Sequence, residues 1–436
     1  MRIHPGGTNA MLVQESGPGY GGLPQPVARF AATQYRLAYD LVASVRDPQT
    51  GAYADSRCWT DPDQQRRCST AAVGVGLVAL CIAHAEGWEP GAAELARQTL
   101  QGFADPQAGF RPAREPHSGF LRHFIDGRSG ATWGASEYST IDTALLVTGA
   151  LFAGHYFSTE PAIAALAEQL FASVDWVRAL ADPQAGSLFM VVDDEGRGGK
   201  PNHPWSEYAI LAWLIRRADA GSGRQTWERV FAPDRLAELP HGDFDGITLL
   251  SSRRGNAHFL SSFVHQFPFY LIHDYTLSPT YRAELAATEA ADRRFWLRQA
   301  GTPTYLWGTG AGPSRKGYHA DAIERCPDGI VSPHIVAGYL PVDPAGIYDL
   351  YDMACNELPF STYVNPADPE DERRFRAAYH YGLHRFVPRA RQGTVPWYPP
   401  TAPLVDWSTL LYGLCAFHRG SGFFATHNAF GGPTTG

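Results

Sequence analysis

The fold turns on SEYSTIDTALLVTGALFAGHYFSTEPAIAALAEQLFASVDWVRAL, Ser136 to Leu180. It contains two helices of opposite character. TALLVTGALFAGHYF, Thr143 to Phe157, is apolar nearly all round, and such a helix must be covered on every side. PAIAALAEQLFASVDWVRAL, Pro161 to Leu180, has one apolar stripe and one charged face, so it belongs on the outside. The pair recurs. STAAVGVGLVALCIAHA (Ser69–Ala85) and WSTLLYGLCAF (Trp407–Phe417) are of the first kind. GAAELARQTLQGFAD (Gly91–Asp105) and DERRFRAAYHYGLHRF (Asp371–Phe386) are of the second. An apolar helix followed by an amphipathic one, repeated, is what a double ring requires: the inner ring is buried and the outer ring meets water on one side.

The pattern predicts helices over 27–46, 69–86, 90–104, 139–157, 161–181, 206–219, 279–300, 344–358, 370–387 and 406–418. Strands are confined to short hairpins in 186–203 and 244–265. A weak internal repeat supports a repeated hairpin unit: DPQTG at Asp47–Gly51, and DPQAG at Asp105–Gly109 and Asp182–Gly186. Proline cannot continue a helix, and glycine tolerates the positive φ of a turn. Residues 1–24 and the tail HNAFGGPTTG (427–436) read as loose ends.

Composition limits the function classes. The chain has 436 residues, 44% hydrophobic, with 18% charged and a formal net charge of −8. With no Lys/Arg block, nucleic acid is not expected as a partner. Aromatic residues are 12%, and part of that excess suits a cleft where flat rings stack on sugars. No run reaches the ~18 apolar residues of a membrane span, so no membrane partner is expected. The N-terminus lacks the apolar core of a signal peptide. As the sequence stands the expected location is cytoplasmic, or periplasmic or secreted if a presequence was removed. Of six cysteines, Cys81, Cys355 and Cys415 read as buried thiols. Cys58 and Cys68 flank CWTDPDQQRRC and could form a local disulfide or lie near each other by accident. Neither the cysteines nor the 16 histidines show metal-site spacing, so neither metal nor cofactor is expected.

Acids gather at the starts of the apolar helices. In EYSTIDTALL, Ser139 is a plausible N-cap and Asp142 stands three residues on, like a capping box with Asp for Glu. Glu207 follows Ser206 in WSEYAI, and Asp406 precedes WSTLL. In a toroid of helical hairpins the inner helices run parallel, so Glu137, Asp142, Glu207 and Asp406 converge on one mouth. Capping alone explains acids at helix N-termini, and explains Asp142 best. Glu207, between Trp205, Ser206 and Tyr208, is the least natural cap. Two carboxyls facing each other across a sugar bond suffice for glycoside hydrolysis.

These residues resemble the glycoamylase-like family of bacterial carbohydrate enzymes. The motifs are GFLRHFID with SEYSTIDTALLVTGALFAGHYF, STAAVGVGLVALCIAHAEGW, WSEYAI, FVHQF, LWGTGAGPSRKGYHA and PDGIVSPH, in the family's order over roughly residues 30–418. The resemblance implies an all-α (α/α)6 toroid with long aromatic-rich loops, one catalytic domain over 25–426. It implies action on β-linked glucans, as in β-1,2-glucanases and the cyclising domain of cyclic β-1,2-glucan synthases. Glu207 takes the position of the proposed general acid and Asp406 that of a general base. Glu137 holds the sugar at the cleavage point, and Asp142 matches the aspartate of the same motif. Ser206 where the family often has Asn, VDWST for IDQGP and HQFPF for HQYSH depart from the pattern. They bear on linkage, chain length and the exo or endo choice.

Further candidates for substrate contact are His123, His265, Tyr208 and Tyr318, and the loop tryptophans Trp133, Trp205, Trp307 and Trp397. Each has an alternative structural role as a packed or hydrogen-bonded residue. Arg315 and Lys316 lie in the same glycine-rich loop as Tyr318. Four functions remain open: an inverting glucan hydrolase, a transglycosylase, a lyase or epimerase recruiting His265, His273 and Tyr318, and a sugar-binding protein without activity. An oligo- or polysaccharide is the expected partner.

Overall fold

The computed structural model describes residues 18–58, 65–105, 109–203, 205–252, 260–357, 381–388 and 399–430. Within them the helices are α1 (Gln25–Ala43), α2 (Thr70–Ala85), α3 (Ala92–Ala104), α4 (Thr140–Tyr156), α5 (Pro161–Ala172), α6 (Ala209–Ala218), α7 (Ser222–Thr226), α8 (Phe263–Leu271), α9 (His273–Leu277), α10 (Pro279–Leu297), α11 (Pro333–Gly338), α12 (Gly346–Asn356), α13 (Leu404–Arg419) and α14 (Gly422–His427). Six of them, α2, α4, α6, α8, α11 and α13, each touch the next, and α13 returns to α2. This is a closed inner ring. Outside it stand α1, α3, α5, α7 with its π-helical continuation Trp227–Phe231, α10 and α12. The arrangement is an (α/α)6 toroid.

Sequence character explains the two rings. Every residue of α2 from Thr70 to Ala83 is buried, as is α4 from Thr143 to Gly154. Such helices approach closely only where side chains vanish. A Cβ on Gly149 would stand 2.3 Å from the Gly74 carbonyl oxygen, and one on Gly413 of α13 1.9 Å from that of Ala337 in α11. The barrel axis is correspondingly filled. The void between Gly74, Leu145, Phe267, Leu271, Ser408 and Tyr412 is about 10 Å³, too small for more than one water.

Short strands lead into the inner helices. β1 (Ser56–Cys58) pairs with β12 (Thr401–Pro403), which runs into α13 and so joins the two ends of the described chain. β2 (Arg67–Ser69) pairs with β3 (Phe124–Asp126) and runs into α2. β4 (Tyr138–Ser139) runs into α4 and pairs with β6 (Ser187–Val192), which also holds β5 (Leu180–Asp182) and β7 (Gly198–Pro201). Two hairpins complete the set, β8 (His241–Phe244) with β9 (Ile247–Leu250) and β10 (Ala311–Ser314) with β11 (Gly317–Ala320).

Several expectations need correction. The helix foreseen over 161–181 ends at Ala172, because the chain turns to let the Asp175 N–H donate to the Ser118 carbonyl. The helix foreseen through 387 has ended by Gly382, whose φ of 83° leaves helical space; Phe386 instead bridges Val331. Residues 358–380 of that stretch lie outside the described residues. Helices α8 and α11 were not foreseen. No disulfide joins Cys58 to Cys68: Cys58 is paired into β12 and Cys68 into β3, two different sheets. Cys355 is exposed. Ordered structure also extends beyond the expected core. Tyr20 packs edge-on against Phe417, and Phe430 against Trp213. The repeats at Asp47 and Asp182 form the same turn, each carboxylate accepting two backbone N–H bonds, although the second follows β5 rather than a helix. The middle copy lies partly outside the described residues.

Candidate active site

The strand-to-helix entries set the inner N-termini side by side, so the mouth carries their exposed N–H groups and the side chains of the preceding loops. Round the ring, α13, α2, α4 and α6 are consecutive, which puts α13 and α6 on opposite walls. Asp406 sits in the first turn of α13, and Glu207 in the turn that immediately precedes α6. The two carboxyls therefore belong to facing walls. Ser206 does not cap a helix containing Glu207; its Oγ accepts from the Tyr208 N–H at 3.3 Å and from Asn202 at 2.8 Å.

On the α4–α6 wall the acids crowd together. The Ser139 Oγ caps α4 by accepting from the Asp142 N–H at 3.2 Å. The reach-back half of a capping box is not made, because the Ser139 N–H is already donated to the Leu121 carbonyl. The Asp142 carboxylate accepts instead from the Ser139 hydroxyl at 2.5 Å, and its other oxygen lies 3.5 Å from His123 Nε2. The other nitrogen of that ring, Nδ1, is 3.1 Å from Glu137. One imidazole thus bridges two carboxylates, and it is held flat on Phe124 at 3.7 Å. Burial works against the Glu137 charge, but its own backbone N–H, His123 and Lys200 outweigh it and lower its pKa. Burial raises Asp142, with Glu137 and Asp55 adding to it against His123 and Ser139. Burial also raises Glu207, and the Asp142 charge raises it further.

Tyr208, an expected substrate contact, is buried. Burial first, then the charges of Glu207, Asp142 and Glu137, push its phenol up, so the three acids lie within electrostatic reach of one hydroxyl. Trp133, half-buried, joins the same wall through its N–H to the Phe124 carbonyl at 3.0 Å.

On the α13 wall the acid has different company. Asp406 is buried, and burial raises its pKa to about 7, with Asp55 adding and Arg385 and Tyr318 opposing. Its Oδ1 accepts from the Tyr318 hydroxyl at 3.0 Å, while its Oδ2 has no partner among the described residues. Asp55 stands between the walls, paired with Arg67 at 2.6 Å, and its charge reaches both Asp142 and Asp406.

Three expected contacts are elsewhere. Trp205 is completely buried in the wall against Tyr275, Tyr281 and His265. His265 faces into that wall from α8, and burial lowers its pKa to about 3. Trp307 is sealed behind the ring, donating to Asp349 at 2.8 Å with Arg293 over its face. All three are packing residues rather than sugar platforms. His273 bonds the Ala425 carbonyl, outside the acid cluster. Trp397 lies outside the described residues. Asp55, Arg67, Lys200 and Arg385 were missed; all four arrive from strands or loops, where no helix-entry pattern marks them. Among the described residues no group of three or more His, Cys, Asp or Glu could hold a metal ion, and no helix is long and apolar enough to cross a membrane.

No family model matches the chain, and no curated protein matches it. Solved structures do. A glucoamylase-like protein from Bacteroides uniformis superposes with a TM-score of 0.72 at 15% identity, over 93% of this chain and 96% of that one. An endo-β-1,2-glucanase from Chitinophaga pinensis, solved with sophorotriose and glucose, gives 0.71 at 15% identity over 94% and 97%. An endo-β-1,2-glucanase from Talaromyces funiculosus, solved with sophorose, gives 0.59 at 11% identity over 91% and 87%. At these identities the likeness is one of fold, and the chain has the (α/α)6 fold of these structures.

Proposed function

We propose that the chain is a glycoside hydrolase that cleaves a β-linked glucan, with β-1,2-glucan and its oligosaccharides as the first substrates to test. The observation that carries this is the pair of pKa-raised carboxyls, Glu207 and Asp406, on opposite walls of one mouth. Glu207 is the general acid. Burial first, and the neighbouring Asp142 after it, raise its pKa against its own backbone N–H, the direction a leaving-group donor needs. Asp406 is the general base. Burial, with Asp55 adding and Arg385 and Tyr318 opposing, raises its pKa to about 7, a value suited to a base working near neutral pH. An acid and a base on opposed walls suit a water between them, which favours inversion. Glu137, its pKa lowered by its own backbone N–H and by His123, and Trp133 are the groups offered to the sugar at the cleavage point. That two similarly folded proteins are endo-β-1,2-glucanases supports the substrate class.

Proton abstraction by histidine has little support. His265 is neutral and walled in, and His273 is bonded to a backbone carbonyl. The test is incubation of the purified protein with β-1,2-, β-1,3- and β-1,4-glucans. New reducing ends from the β-1,2 polymer, absent with Glu207→Gln, bear the proposal out. Products longer than the substrate, or cyclised, point to transfer. Products absorbing in the ultraviolet, or none from any glucan, contradict it.

A further inference from the structure

The β10–β11 hairpin reaches a catalytic oxygen directly. Every residue of β11 is exposed, and Tyr318 shows 63% of its surface, yet its hydroxyl reaches the buried Asp406 at 3.0 Å. The ring is therefore out over the mouth while the oxygen at its end is sunk. A strand with no core beneath it needs another anchor, and Arg385 supplies one. Its guanidinium donates to the Gly310 carbonyl at 3.0 Å and the Pro313 carbonyl at 2.9 Å, ahead of the turn. It donates to Asp321 at 2.5 Å, just after β11, and to the Ser332 hydroxyl at 3.0 Å, at the entry to α11. Gly312 is required at this clamp: its φ is 144°, and a Cβ there would lie 2.6 Å from the Arg385 Cδ. The hairpin is thus pinned at both ends, which fixes where the Tyr318 hydroxyl stands.

We propose that Tyr318 is a positioning residue: it holds Asp406 Oδ1 by hydrogen bond and so leaves Oδ2 as the atom that takes up the proton during hydrolysis. This rests on Asp406 being the base. A carboxylate with one oxygen tethered is held against rotation about its Cβ–Cγ bond, and Oδ2, buried and without a partner among the described residues, keeps its lone pairs for the incoming proton. In the step, a water O–H bond breaks and its proton goes to Oδ2. The water oxygen bonds the anomeric carbon. The glycosidic C–O bond breaks with its electron pair on the leaving oxygen, which takes the Glu207 proton. Solvent then removes the proton from Asp406 and restores that of Glu207. The charged and titratable groups facing Asp406 are Tyr318 from the hairpin, Arg385 from the segment after Tyr381, and Asp55 with its partner Arg67. His384 packs on the neighbouring Trp407.

The test compares Tyr318→Phe, which keeps the ring and loses the hydroxyl, with Tyr318→Leu, which loses both, in the full chain on the glucan that the wild type cleaves. Near-ultraviolet circular dichroism and Tm confirm the fold. The expected result for Tyr318→Phe is a kcat about tenfold lower with KM nearly unchanged, and an acidic limb of the kcat/KM profile moved up by about one pH unit. That is the scale of one hydrogen bond to a carboxylate. A Tyr318→Phe enzyme with wild-type kcat and pH profile, together with a raised KM in Tyr318→Leu alone, overturns the proposal and leaves the ring as a sugar platform. Asp406→Asn separates the two failures. If that variant still hydrolyses glucan, Asp406 is not the base and the parent reading falls; if it is inactive, only the role of Tyr318 is at issue.

Discussion

The two walls of the mouth both desolvate a carboxyl, Asp406 buried and Glu207 partly exposed, and surround them differently. On the α6 side Glu207 has Asp142 beside it, and Asp142 has Glu137, so like charges add to burial while the Glu207 backbone N–H opposes it. On the α13 side a guanidinium and a tyrosine hydroxyl oppose the burial of Asp406, and Asp55 adds to it. Burial alone therefore does not assign roles. The side-chain neighbours differ, a carboxylate for Glu207 against a guanidinium, a hydroxyl and a carboxylate for Asp406, and the choice of acid and base follows the family resemblance.

The largest effects come from erasing either side. Glu207→Gln and Asp406→Asn are each expected to lower kcat on glucan by about 10²–10⁴-fold, the range for a positioned acid or base. An aryl β-glycoside with an activated leaving group separates the roles. It needs no acid, so Glu207→Gln regains most of its activity on it and Asp406→Asn does not. The reverse pattern would exchange the two assignments. Next comes the imidazole bridge. His123→Ala removes the ring that orients both Glu137 and Asp142, and KM for glucan is expected to rise about tenfold at neutral pH. The acidic limb set by Asp406 should stay in place, because His123 belongs to the other wall. A limb that moves would show the walls to be coupled.

Stability distinguishes the walls from the floor. The Asp406 pKa is raised in the folded state from 3.8 to about 7, so the folded protein binds its proton more tightly than the unfolded chain does. The stability this contributes is full below about pH 4 and is lost as pH rises through about 7. Asp406→Asn is therefore expected to melt a few degrees above the wild type at about pH 8, with the difference gone at about pH 4. A scanning calorimetry series checks the sign. The smallest functional effect belongs to the floor. Gly149→Ala forces a Cβ into the Gly74 backbone and should cost about 1–3 kcal/mol in denaturant melts, with the pH profile of the survivors unchanged.

Much of this was legible in the sequence, for definable reasons. Helices α2, α4 and α13 declare themselves because they are apolar all round, and the acids at their entrances follow from parallel inner helices. Helix α8 was hidden by Pro268 in its interior, and α11 by its six-residue length. The β1–β12 closure joins the two ends of the chain, and no local pattern records such a pairing. Trp205, Trp307 and His265 were misplaced because a residue beside a helix entrance can face either the mouth or the wall, and periodicity does not reach into loops. Asp55 and Arg385 set the electrostatics of Asp406, yet both come from outside the inner helices. Their roles appear only when the ring closes.

The most direct test of the opposed pair is the anomer first released. Proton NMR of a fresh β-glucan digest is expected to show the α-anomer growing first and the β-anomer appearing later by mutarotation. A β-anomer formed first would mean retention, which two carboxyls on facing walls with water between them do not produce, and would contradict the assignment of Asp406 as base.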